Sequence, residues 1–268
     1  MNQVVDVLES YRKSLKRKNS ITIERIGLEE FYIDVTKLVD QRAGKNGLNI
    51  PFDSRLSLLC DSNKTHPNHN YNGHPVTVME MKNKQVDRDE MRASVFKFQE
   101  YVNPNDMKLV HGGCIANAIL KVILSRTKLQ ASAGVGHTKE LARRACLLNK
   151  PQGVTIFSFS AVPRMSPLLK IEDINGYGSG MASKLETAYR NQHGHGRLST
   201  FEDVLKLGER AVDILQGIFE QVDPEKNKTP QAKAVELVRI CHGNDGKEVH
   251  ESLDKKTIGT TEHIPEGN

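Results

Sequence analysis

Ile23-Glu-Arg-Ile-Gly-Leu-Glu-Glu-Phe-Tyr-Ile-Asp-Val-Thr36 is the stretch from which the rest of the chain is read. Apolar residues alternate at Ile21, Ile23 and Ile26, and again at Phe31, Ile33 and Val35, so each run reads as a strand. Between them Gly27 permits a backbone turn, and Glu29 and Glu30 arrive on its far side, where a hairpin exposes them at one end of a sheet. Two adjacent carboxylates at a fixed strand end suit a divalent cation. Two solvated turn glutamates are the ordinary alternative, and these residues alone leave both readings open.

Composition narrows the field. The 268 residues suffice for one or two domains with real cores. Mean hydropathy is −0.50, with no apolar run of about 18 residues, so a soluble protein without membrane spans is expected. A polar start after Met1 predicts no secretory leader. Cys60, Cys114, Cys146 and Cys241 form no C-x-x-C pair, which argues against a disulfide framework or a cysteine zinc site and predicts reduced intracellular thiols. Lys and Arg exceed Asp and Glu by 38 to 33, a mild lean toward anionic partners. The absence of tryptophan makes an aromatic stacking platform for bases a poor expectation.

Upstream of the hairpin, Val4, Val5, Leu8, Tyr11 and Leu15 recur at helical spacing, predicting an amphipathic helix over 2–15. It ends in the basic cluster Arg12, Lys13, Lys16, Arg17 and Lys18, which suits a helix C-terminus and, as the other reading, a nuclear-import signal. Residues 40–107 read as a long polar insertion, with a short strand or buried turn at 54–59, a strand at 75–81 and a helix at 88–101. His66, His69 and His74 lie in an Asn-rich loop without metal-ligand spacing and are expected to be solvated.

Beyond the insertion, Ile115, Ala118, Ile119, Val122 and Ile123 mark one face of a helix over 108–126. A strand of small residues over 129–136, a helix over 138–148 stopped by Pro151, and a strand over 153–159 complete the pattern. The order predicts an α+β fold: an incomplete β-α-β-β-α-β, ferredoxin-like sheet lacking its first strand.

After residue 162 the character changes to short helices. Ile174-Asn-Gly-Tyr-Gly-Ser-Gly-Met-Ala-Ser-Lys-Leu185 has a glycine-turn-helix layout in which Gly176 and Gly178 allow a tight turn and a helix starts near Gly180. The free amides of the helix that follows suit one backbone phosphate; a plain helix cap with a short loop is the other reading. Helices are expected at 201–207 and 231–241, and a linker or frayed end beyond Gly243. The domains so read are 1–162, 163–243 and 244–268.

Together these pieces resemble the Y-family of translesion DNA polymerases. The stretch Ile23 to Thr36 is similar to that family's palm signature, and its Glu-Arg-x-Gly lead-in is most similar to the iota branch. Ala131-Ser-Ala-Gly-Val-Gly-His-Thr-Lys-Glu-Leu-Ala142 with Asn149-Lys-Pro151 resembles a second family motif, and 174–185 its helix-hairpin-helix thumb. The resemblance implies DNA-directed DNA synthesis across damage in DNA repair, by two-metal nucleotidyl transfer. It makes Glu29 and Glu30 the catalytic, magnesium-holding pair, Lys150 the contact to the triphosphate of a deoxynucleoside triphosphate, and Gly176, Gly178 and Gly180 the grip on primer-template DNA.

It also implies a nuclear location and recruitment by replication scaffold proteins. The chain departs from the pattern at Glu29, where the family carries Asp, at Thr138 for Asn and at Arg143 for Lys, and the first palm strand and the fingers have no counterpart. A palm remnant plus thumb is therefore expected, either a segment of an active enzyme or a catalytically inactive relative that binds DNA without regard to sequence. A metalloenzyme of sugar or phosphate-ester chemistry built on Glu29 and Glu30 lacks any supporting pocket motif.

Overall fold

The computed structural model describes residues 3–15, 20–27, 29–46, 56–59, 77–79, 104–148, 150, 153–158, 161–224 and 228–253. Helix α1 (Gln3–Ser14) leads into the antiparallel hairpin of β1 (Thr22–Arg25) and β2 (Phe31–Asp34), followed by α2 (Thr36–Asn46), whose start Asp34 caps by accepting the Thr36 amide at 2.8 Å. Val4, Val7 and Leu8 of α1 pack on Ile21 and Ile23, so Val7 takes the core position expected of Val5. The short strands β3 (Leu56–Leu59) and β4 (Thr77–Met79) precede the long helix α3 (Pro104–Thr127). Then come β5 (Ser132–Val135), α4 (Lys139–Leu148) and β6 (Gly153–Phe157).

The expected single half-sheet is instead two sheets. The hairpin stands alone, and β4, β3, β6 and β5 form a parallel sheet in that order. The reason lies in β6, whose Val154, Thr155, Ile156 and Phe157 are all buried. A strand covered on both faces needs a hydrogen-bonding partner on each edge, and β3 fills the edge opposite β5. Strands β3 and β4 fall within the short strand or buried turn expected at 54–59 and the strand expected at 75–81, while the proposed helix at 88–101 and the three histidines lie outside the described residues.

Helix α3 joins the two sheets. Ile115, Ile119 and Ile123 face α1 and the hairpin, and Leu109, Val110 and the half-buried Leu120 face β5 and β6. By length and composition 108–127 would suffice to cross a membrane, contrary to the expectation from the sequence, but half of it is buried between these two layers. Each large apolar side chain so enclosed contributes about 1.5–3 kcal/mol.

The second lobe follows β6: α5 (Val162–Met165), α6 (Gly178–His193), α7 (Phe201–Leu205), α8 (Ala211–Val222) and α9 (Pro230–Cys241). Its core, centred on Leu185, Phe201, Leu215, Ile218 and Phe219, also takes in Leu141, Ala145 and Phe157 of the first lobe. Thr200 and Asp203 start α7 with a reciprocal capping box.

Beyond α9 the described residues continue to 253 and are held by hydrogen bonds to the first lobe. Asp245 accepts the Glu140 amide at 2.7 Å, and Ser252 forms a parallel bridge beside Glu24 through Arg25 N to Ser252 O (2.7 Å) and Ser252 N to Ile23 O (3.1 Å).

Candidate functional site

The hairpin register, Glu24 opposite Tyr32 and Arg25 opposite Phe31, sets Glu29 and Glu30 in the connecting turn, where both are exposed. The turn closes through the amides of Ile26 and Gly27, which donate to the Glu30 carbonyl at 3.0 and 3.4 Å, and Arg25 Nε donates to the Gly27 carbonyl at 2.9 Å. The Glu30 side chain folds back so that a methyl group added at Gly27 would lie 3.7 Å from Oε2. Among the described residues no cluster of three or more Asp, Glu, His or Cys side chains is arranged to hold a metal ion. Two exposed carboxylates fit a hard divalent cation in kind and supply part of the ligand set it needs.

Helix α4 faces this turn. Gly134 and Gly136 let its backbone lie directly on the end of β5: a methyl group at Gly134 would sit 1.8 Å from the Ala142 carbonyl oxygen. Thr138, which stands where the resemblance leads one to expect Asn, caps the helix by accepting the Leu141 amide at 3.3 Å. At the other end Cys146 donates to the Ser132 carbonyl at 3.5 Å. Burial pushes the Cys146 thiol up, with an opposing contribution from Lys150 and a reinforcing one from Glu30. Lys150 is exposed.

Gly176, Gly178 and Gly180 are open to solvent in the second lobe, with φ of 96° at Gly176 and 45° at Gly178, values that favour glycine. Helix α6 begins at Gly178, two residues before the expected start, and no side chain caps its first amides.

The residues that knit the turn to α4 were not foreseen. Lys139 Nζ reaches Glu24 Oε2 at 2.6 Å and lies 5.2 Å from the centre of the Tyr32 ring. Burial works to raise the Glu24 pKa, but the Lys139 ammonium and the His250 amide outweigh it and hold it below the usual carboxylate range. These partners are 115 and 226 residues away, so no spacing could have announced them.

Burial, with smaller contributions from Glu140, Asp245 and Glu30 against an opposing one from Arg143, pushes Tyr32 from 10.0 up to about 12. Because the folded-state value lies above the unfolded one, the neutral phenol contributes stability that is complete below about pH 10 and lost as pH climbs toward about 12. Tyr32→Phe should therefore remove one late ionisation from the tyrosinate absorbance titration of the folded protein and flatten the loss of stability in that window. Loss of an ionisation near pH 10 instead would show that Tyr32 ionises as a free phenol.

Comparison with known proteins fits this arrangement. Residues 1–146 match the model of the impB/mucB/samB family. DNA polymerase IV of Shewanella sp. (strain MR-7) is 31% identical over 163 residues, covering 60% of this chain and 39% of that protein. DNA polymerase eta of Arabidopsis thaliana is 23% identical over 255 residues, 90% of this chain and 31% of that protein. Among solved structures a Y-family DNA polymerase chimera aligns with a TM-score of 0.49 at 17% identity, over 95% of this chain and 49% of that one.

The family match runs over most of the mixed α/β lobe that carries the acidic hairpin. The chain belongs to the impB/mucB/samB family, the Y-family of DNA-directed DNA polymerases. It spans about two fifths of the length of the bacterial relatives. The nuclear location expected from the resemblance is overturned: Shewanella and Exiguobacterium are bacteria and have no nucleus.

Proposed function

We propose that this chain is the palm-and-thumb portion of a translesion DNA polymerase that binds primer-template DNA and a deoxynucleoside triphosphate. The observation that carries the reading is the family match over residues 1–146, which takes in the exposed carboxylates of Glu29 and Glu30. Glu29 and Glu30 would hold Mg2+, which when bound neutralises phosphate charge and lowers the pKa of an attacking hydroxyl. Lys150 would take the triphosphate as a point charge. The solvent-facing amides at the start of α6 would grip one backbone phosphate without reading bases.

A second reading, a DNA-binding module without synthesis of its own, is favoured by the acidic turn supplying two carboxylates and no third among the described residues.

DNA and nucleotide binding test the first reading together. Titration with a deoxynucleoside triphosphate and Mg2+ should show binding that Glu30→Gln and Lys150→Ala each weaken at least about tenfold; unaltered binding in both would sink the site. Fluorescence anisotropy with duplex DNA should show affinity falling steeply with salt, with a further loss of about tenfold in Gly178→Pro, because proline cannot adopt the φ of 45° found there. If that variant binds as well as the parent, the thumb assignment is wrong. Primer extension separates the two readings, since the module predicts tight DNA binding with no incorporation.

A further inference from the structure

We propose that residues 245–253 form a clasp, with Glu24 as its positioning residue, that fixes the acidic turn at its working distance from α4. The inference rests on the reading of Glu30 and Lys150 as one site and names what holds that site together. The acidic turn and the lysine belong to separate units: β1 and β2 form a two-stranded sheet, while α4 lies on the parallel sheet. A two-stranded hairpin is marginal by itself. Something must set its position against α4.

Helix α3 joins the two sheets through its apolar faces, and three further contacts, each through 245–253 or Glu24, tie the hairpin to α4. Asp245 Oδ2 accepts the Glu140 amide in the first turn of α4 at 2.7 Å, and the same carboxylate accepts Lys247 N through Oδ1 at 2.9 Å, so the clasp starts on the helix. Glu24 Oε2 then receives both Lys139 Nζ at 2.6 Å, from α4, and the His250 amide at 2.8 Å, from the clasp. Finally, Ser252 pairs with Ile23 and Arg25 as a third strand at the free edge of β1, while Glu251 takes the Ile23 amide at 3.3 Å and pairs with Arg12 of α1.

Glu24 and Lys139 are little exposed, their side chains at 14% and 12%, so the pair is shielded from water and holds more firmly than a surface pair would. Glu24 touches no substrate in this reading. It acts through the strand it sits on: Arg25 follows it directly and locks the turn through the Gly27 carbonyl. The clasp thereby ties the end of the second lobe to the geometry of the first.

Native-state hydrogen exchange on the full chain reads this without any metal or nucleotide. The reporters are the amides of Ile26 and Gly27, which close the acidic turn, and the control is the Phe201 amide, which donates to the Leu169 carbonyl at 2.8 Å in the second lobe. Glu24→Ala, and separately Ser252→Pro, should speed exchange at Ile26 and Gly27 at least about tenfold with Phe201 unchanged, and Glu24→Gln, which keeps an acceptor for His250, should restore most of the protection. Exchange at the turn that stays at the parent rate, or that rises equally at Phe201, overturns the clasp. Calorimetric titration with Mg2+ alone then judges the site separately. Glu30→Gln should abolish binding and Glu24→Ala weaken it about threefold or more. If Glu30→Gln binds as the parent does, the metal site fails while the exchange rates still decide the clasp.

Discussion

Gly134→Ala is expected to leave little folded protein. A single methyl group there would sit 1.8 Å from the carbonyl oxygen of Ala142, 2.3 Å from the amide nitrogen of Cys146 and 3.0 Å from the Ala142 carbonyl carbon. All three are backbone atoms in the middle of α4, so no rotamer change relieves the contact. The helix would have to lift off β5, and Leu141 and Ala145, each fully buried, would leave the core they share with the second lobe. A substitution that breaks a backbone-to-backbone contact in this way costs more than about 4 kcal/mol, against a total stability of about 5–15 kcal/mol for a native protein.

The control is Gly217→Ala. Gly217 lies within α8 with nothing inside 4 Å of the added carbon, and helix propensity there predicts a gain of about 0.5–1 kcal/mol. Soluble yield and the urea midpoint of the two variants decide the matter. Gly134→Ala protein that unfolds at the parent midpoint would mean that α4 does not lie on β5 as described.

That close approach was legible in the sequence. A run as small as Ala131-Ser-Ala-Gly-Val-Gly136 reads as a strand against which another backbone packs, and the hairpin announced itself through strict alternation on both sides of Gly27. Strands β3 and β4 did not declare their role, because three or four residues are too few to establish a period and β6, the partner of β3, lies about a hundred residues downstream. Helix α8 did carry a signal: Ala211, Leu215, Ile218 and Phe219 recur at helical spacing, and all are buried.

The site divides in the same way. Its two carboxylates and its lysine stand in local motifs, whereas Glu24, Lys139, Tyr32 and Asp245 acquire meaning only from long-range contacts that one sequence does not display. The split into two sheets was equally hidden, since it turns on which edge of β6 finds a partner.

Arg144→Met is expected to be the most costly side-chain truncation outside the apolar core. The guanidinium is 5% exposed and fully engaged: Nε with Glu140 Oε1 at 2.6 Å, one terminal nitrogen with Asp173 Oδ2 at 3.0 Å, the other with the Lys170 carbonyl at 2.9 Å, and its plane 5.3 Å from the centre of the Phe201 ring. It therefore bolts α4 to the first turns of the second lobe. Of the two carboxylates, Asp173 is 41% exposed and loses little, because water replaces the partner. Glu140 is the one that matters, with its side chain 8% exposed and Arg144 its only salt-bridge partner among the described residues. Removing Arg144 leaves that charge buried and unpaired, a loss of about 3–5 kcal/mol. Arg144→Lys keeps the charge but cannot span three acceptors at once, and a loss of about 1.5–3 kcal/mol is expected.

Adding Glu140→Gln to Arg144→Met should recover about 1 kcal/mol or more, since the stranded charge goes with it. Lys206→Met gives the baseline: its pair with Glu202 lies on the surface of α7, with the lysine side chain 65% exposed, and should change stability by less than about 0.5 kcal/mol. Urea midpoints measured at constant slope order the four variants. An Arg144→Met midpoint equal to that of Lys206→Met would show that the two lobes are held together by their shared apolar core alone.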